Sequence, residues 1–401
     1  MKERILAVCL TAILVMSIWG CGSEYDERKI IEEKQEEIVL WSYYETEEQK
    51  LALDELIAGF NKAQETYHIT WEYHGPVTEF TKKLSIGITQ GQLPDIVILD
   101  NPDMRKYVEQ DIFADVTEYV TGFDHLDKYY ENVLSSVIYD GKYYGLPFCC
   151  NNTALIYNQE LLEESGLRVP ETWDELLETA VMLGEGERTG FAMSAIAGEQ
   201  SAFQLLPFIL SAGDTVETLG GQGTREAFEY MKTLVDEGAL SRDSINWSQN
   251  DLAKKFIDGE CAMMQNGPWV LPALDAAGIS YGIAPLPMKE ARIGVAGGEN
   301  LGVIKGKNTD GAVAFLQYYN NEQTMLNTAL RANSMPPRKD LAVKMVEVRP
   351  EYKIFVEQMD ECVSRSAYET WPQITGILSE AQYKVISGEA SPAEVTGWLV
   401  Q

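Results

Sequence analysis

The stretch DGKYYGLPFCCNNTALIYNQELLEESGLRVPETWDEL, residues 140–176, holds the change in texture on which the reading of the whole chain turns. Asp140-Gly141 is a strong two-residue hairpin signal. Phe148 to Asn158 then reads as strand. Thr172 and Glu175 form a capping box that opens a helix ahead of Leu176 and Leu177. Inside the stretch, Cys149 and Cys150 stand directly before Asn151 and Asn152. Adjacent α-carbons lie about 3.8 Å apart, below the usual disulfide range of about 4.4–6.8 Å, so a vicinal disulfide requires strain. Free cysteine is among the most often buried residue types, and buried thiols are the expectation for Cys149, Cys150, Cys261 and Cys362. A bridge involving Cys261 and Cys362 stays open.

Upstream of this stretch, strand and helix signals alternate. EIVLWSYYE (Glu37–Glu45) begins as a short apolar strand, and Leu53, Leu56, Ile57 and Phe60 recur on one helix face. HITWEYH (His68–His74) reads as a second strand. After breaks at Gly91 and Pro94, DIVILD (Asp95–Asp100) has the apolar run of a buried parallel strand. That order predicts an α/β layered unit. Downstream the chain is richer in helix. FAMS (Phe191–Ser194), CAMMQ (Cys261–Gln265) and YGIAPLP (Tyr281–Pro287) are expected strands, and DLAKKFIDGE (Asp251–Glu260) is a helix that Gly259 can end. Ser391, Pro392 and Glu394 open a last helix, with Trp398 expected to pack it on the core.

The N-terminus reads as an export signal over residues 1–20, with Lys2 and Arg4 ahead of an apolar run too short to span a bilayer. Cys21, after Gly20, resembles the lipidated cysteine of a bacterial lipobox, although Ile18 and Trp19 depart from that pattern. Residues 21–37 then form a lipidated N-terminus and charged tether. About 365 residues remain, more than a single core usually serves, so two lobes are expected. With 62 acidic against 32 basic residues and a formal charge of −30, the composition argues against nucleic-acid binding. Three histidines in no cluster and no CxxC spacing argue against a zinc site. No G-x-S-x-G, H-E-x-x-H or P-loop occurs, and GGQG (Gly220–Gly223) lacks the lysine of a phosphate loop.

Several segments in order resemble the extracellular solute-binding proteins of family 1, the maltose-binding-protein-like receptors of ABC importers. They are the opening stretch, KKFIDGECAMMQNGPWVLPAL, PLPMKEARIGVAGGENLGVIKGKN and ANSMPPRKD. The resemblance implies a two-lobed periplasmic-binding-protein-like α/β fold, each lobe a mixed sheet flanked by helices, with a hinge between them. It places one lobe at residues 38–147 plus 297–337 and the other at 148–296 plus 338–401. It implies a monomeric receptor on the outer face of the cell membrane that hands its solute to an ABC permease, without catalysis and without a cofactor.

A carbohydrate ligand asks for aromatic platforms beneath its C–H faces and paired polar groups around its hydroxyls. Each unmatched buried polar group costs roughly 1–3 kcal/mol, which gives discrimination. Trp41, Tyr43 and Glu45 follow the first strand at the edge where an open α/β unit binds ligand, with core packing the competing role for Trp41. Asp100 and Asn101 end the third strand, where a turn role competes. Asn151 and Asn152 follow the expected hinge. Trp269 matches the family's tryptophan and is the favoured stacking residue. Glu299 stands at the return crossover beside two glycines. Arg338 fits the family position after the proline pair, and a surface role fits it equally. Tyr368 and Trp371 precede the C-terminal helix. A peptide, polyamine or chelate is the alternative solute. A secreted glycoside hydrolase is the alternative in another class, and it would need a fixed carboxylate pair.

Overall fold

The computed structural model describes residues 35–400; the expected signal segment, Cys21 and nearly all of the tether lie outside them. The first strand begins at Glu36, within the stretch read as tether, because it pairs along its whole length with Tyr67–Tyr73. Together with Ile96–Asp100 these strands run parallel. Glu299–Val303 then inserts antiparallel between Ile96–Asp100 and Gly145–Pro147, completing a five-stranded sheet. The first helix, Glu47–Ala63, is opened by a capping box of Thr46 and Gln49, and buries the predicted Leu53, Leu56, Ile57 and Phe60.

The second sheet has four strands in the order Tyr281–Ala284, Ala154–Asn158, Cys261–Asn266 and Thr189–Ala192. Thr172 caps the helix Trp173–Leu183 by accepting the Glu175 N–H, but the expected capping box does not close, because the Glu175 carboxylate accepts the Glu171 N–H at 2.8 Å instead. Helices Glu199–Ser211, Gln222–Asp236 and Trp371–Ser387 pack with this sheet around Phe191, Leu206, Phe228 and Trp371. Trp398 does not serve this core. It is 37% exposed, because the short last helix, Pro392–Gly397, buries Val395 and Thr396 instead. No helix among the described residues is long and apolar enough to cross a membrane.

Asp140-Gly141 makes the turn between Ile138–Tyr139 and Lys142–Tyr143, with φ of 50° and 74°. The stretch beyond it is not one continuous strand. Regular pairing resumes only at Ala154, because residues 148–153 leave the first sheet for the second and bond to other crossing segments. The Cys150 N–H donates to the Met335 carbonyl at 2.9 Å, and Asn151 exchanges backbone bonds with Gly297 at 3.0 and 2.8 Å. Val295–Ala296 pairs in turn with Val363–Ser364. The four thiols at 149, 150, 261 and 362 are free and buried. Gly298 has φ of +124°, and a side chain there would strike the Cys149 carbonyl, so the seam admits only glycine at that point.

Candidate ligand-binding cleft

The polar groups at the seam are built from strand ends. Glu299 opens the inserted strand, and its carboxylate accepts the Tyr43 hydroxyl at 3.1 Å and the Cys149 thiol at 2.6 Å. Tyr44 stands 3.5 Å from the same sulfur. Burial raises the Glu299 carboxyl above its ordinary range and pushes the Cys149 thiol well up, in keeping with a thiol that donates to Glu299. Asn101 is 5% exposed; its amide N–H group donates to Ser136 Oγ at 3.0 Å and Asn300 Oδ1 at 3.1 Å, while its own Oδ1 has no protein partner.

Beside Asp100 lies Arg365, 3% exposed. Its Nη1 donates to Glu199, its Nη2 stands 3.8 Å from Asp100 Oδ1, and its guanidinium lies 4.3 Å over the Phe203 ring. Its Nε has no partner. Glu199 also accepts the Trp371 indole N–H at 3.2 Å. Partial removal from water raises the Asp100 carboxyl well above its usual value, an effect that Arg365 offsets only in part. Asp103 is raised to about 6, first by burial and then by the nearby Glu199. Close by, Arg105 stands 3.4 Å from Glu369.

Trp269 lies at a different place, on a cavity that none of the groups around Arg365 lines. It follows the Cys261–Asn266 strand, and its ring lies against Gly267, where any side chain would overlap it. Asn266 fixes this corner by donating to the Gln249 carbonyl at 2.9 Å and accepting the Gly267 N–H at 3.0 Å. Trp269 faces a cavity of about 360 Å³ whose other walls include Thr46, Gln49, Asn250, Lys254 and Asn333. A separate cavity of about 190 Å³ lies among Phe208, Leu286, Ile293 and Ile354, and none of the site residues expected from sequence lines it.

The expected residues divide accordingly. Tyr43, Asp100, Asn101 and Glu299 gather around or beside Arg365 and the seam, whereas Trp371, 1% exposed, is a core side chain whose indole N–H reaches Glu199. Asn151 lies in the seam itself, its Oδ1 against Gly297. Trp269 lines the cavity, with Glu45 exposed just before the Thr46 cap. Tyr368 is half-buried against the second sheet's core. Three are occupied elsewhere. Trp41 packs edge-on to His74 at 4.4 Å among core side chains. Asn152 donates to the Phe355 carbonyl at 2.9 Å and accepts from Gln358, tying the crossover to helix Lys353–Gln358. Arg338 is wholly buried, paired with Asp340 at 2.7 Å and donating to the Asn320 carbonyl at 3.2 Å, so it is no surface residue. Sequence reasoning missed Glu199, Phe203, Asp103 and Arg365, which carry no motif. Among the described residues no group of three or more His, Cys, Asp or Glu side chains is placed to hold a metal.

Two sheets joined by adjacent crossovers, with a polar and aromatic cleft where they meet, define a two-lobed solute-binding protein. Residues 55–353 match the family of bacterial extracellular solute-binding proteins, and the chain belongs to that family. A binding protein of Brucella abortus is 24% identical over 338 residues, covering 78% of this chain and 80% of that protein. The maltotriose-binding protein of Pyrococcus abyssi is 30% identical over 218 residues, covering 51% of this chain and 44% of that one. Among solved structures, an ABC transporter solute-binding protein of Thermotoga lettingae bound with α-D-tagatose superposes with a TM-score of 0.82 at 20% identity, covering 91% of this chain and 97% of that one. A Mycobacterium tuberculosis protein in complex with glycerophosphocholine gives a TM-score of 0.80 at 18% identity, covering 91% and 96%.

Proposed function

We propose that the protein is the extracellular, lipid-anchored receptor of an ABC importer and captures a sugar or oligosaccharide between two closing lobes. The lobes are residues 38–147 plus 297–337 and residues 148–296 plus 338–401, Cys21 carries the anchor, and the monomer delivers its solute to a membrane permease without chemical change. The observation that carries the carbohydrate reading is the pairing of the Trp269 face with amide and hydroxyl groups around one cavity. The maltotriose-binding relative and the tagatose-bound neighbour support the same reading.

One observation favours a second reading. Asp100 and Glu199 flank the guanidinium of Arg365, and Asp103 and Glu299 add further negative charge nearby, a balance that suits a cationic amine. A thermal-shift screen separates the two, since bound ligand raises stability by mass action. The expected result is stabilisation by a mono- or oligosaccharide. A shift with polyamines or peptides and none with any carbohydrate defeats the sugar assignment, and turnover of a bound oligosaccharide defeats the receptor assignment.

A further inference from the structure

Two arginines, one from each lobe of the proposed hinge, are held in the same way. Arg365 is fixed on its own side by Glu199 and by the Phe203 ring at 4.3 Å, and its free arm stands 3.8 Å from Asp100 on the other. Arg105 is fixed on its own side by Glu109 at 3.7 Å and by the Tyr139 ring at 4.8 Å, and reaches Glu369 on the other at 3.4 Å. The short segment Asn101–Asp103 between them packs on Arg365–Ala367 and on the start of helix Trp371–Ser387. Arg365 also lies against Gly297, where the return crossover bonds to Asn151.

We propose that Arg365–Asp100 and Arg105–Glu369 form a reciprocal electrostatic latch that biases the empty receptor toward its closed state. The inference rests on the two-lobe reading and is independent of which solute binds. Each guanidinium is pinned by a carboxylate and an aromatic face of its own lobe, so little side-chain freedom is lost when the lobes meet. Each carries a full positive charge, and the contact across the cleft is the part that opening would break. Both cross-lobe distances exceed those of a tight ion pair, and Glu369 is 81% exposed. The exposed Arg105–Glu369 pair is weak and salt-screened and supplies the salt-sensitive part of the bias, while the largely buried Arg365–Asp100 pair is screened much less. The surrounding Asp103, Glu199 and Glu299 add negative potential on the Arg365 side, and Lys106 adds positive charge near Asp103.

The test is small-angle scattering on ligand-free protein from about 0.05 to about 0.5 M NaCl, a range that shortens the Debye length severalfold. Wild type is expected to expand as salt rises. Asp100→Asn and Glu369→Gln each start more expanded at low salt and respond less, and the double variant least of all. Glu369→Gln alters only an exposed side chain, so it reports even where Asp100→Asn disturbs packing. Equal radii for wild type and Glu369→Gln, and for wild type and a folded Asp100→Asn, at every salt concentration overturn the latch. No solute is present, so failure of the carbohydrate assignment in the thermal-shift screen leaves this result standing.

Discussion

Around Trp269 the cavity is walled by exposed or half-exposed groups that are mostly neutral, Thr46, Gln49, Asn250 and Asn333, whereas two half-buried carboxylates, Asp100 and Glu199, flank the buried guanidinium of Arg365. The first wall loses little if a side chain is trimmed, because water already reaches it. The second is an electrostatic balance in which each group sets the cost of its neighbours. The first is therefore suited to contact a ligand, and the second to respond when the lobes meet.

Arg365→Ala is expected to produce the largest change. It leaves Glu199 and Asp100 facing each other without their counter-charge, and breaking a buried pair costs about 3 kcal/mol or more. Urea denaturation should show a midpoint lowered accordingly, and an unchanged midpoint would mean that the cluster carries no structural load. Trp269→Ala is expected to separate the walls in the other direction. Affinity for the solute found in the screen should fall about tenfold, or about 1.4 kcal/mol, with the melting temperature lowered by only a few degrees. A large stability loss with unchanged affinity would make Trp269 a core residue.

An effect confined to a narrow pH window concerns Asp103. Its folded pKa of about 6 lies above the unfolded value near 3.9, so the native state holds a proton that the unfolded chain has released. Between about pH 4 and pH 6 this group therefore makes stability fall as pH rises. Asp103→Asn should flatten the stability profile in that window and stabilise the protein modestly at pH 7. A profile parallel to wild type would remove Asp103 from the balance.

The same contrast explains what the sequence could show. Asp140-Gly141, the Thr172 cap and the Leu53–Phe60 face are local signals, decided by residues a few positions apart, and the structure follows them. Tyr43, Asp100 and Glu299 were legible as site candidates because strand ends fall at the cleft edge of an α/β unit. Glu199 and Arg365 are separated by 166 positions, and nothing in either neighbourhood announces the other. Asn151 and Asn152 look equivalent on paper. In the folded chain the first stays in the seam, while the amide of the second is committed to helix Lys353–Gln358. Phe148 to Asn158 read as one strand because its apolar content hides the exchange of partners at residues 148–153.

The inserted strand Glu299–Val303 has a consequence for the order of assembly. All four strands of the second sheet lie between residues 154 and 284, so that sheet can close as soon as this part of the chain is available. The first sheet cannot. Its strand Ile96–Asp100 waits with one edge unpaired until residues 299–303 arrive, nearly two hundred positions later. That long-range closure is the slow kind, and it leaves an apolar edge open to mispairing in the interval. The sheet that is started first is thus the sheet that closes last, and a partly synthesised chain is the form most in need of protection from aggregation.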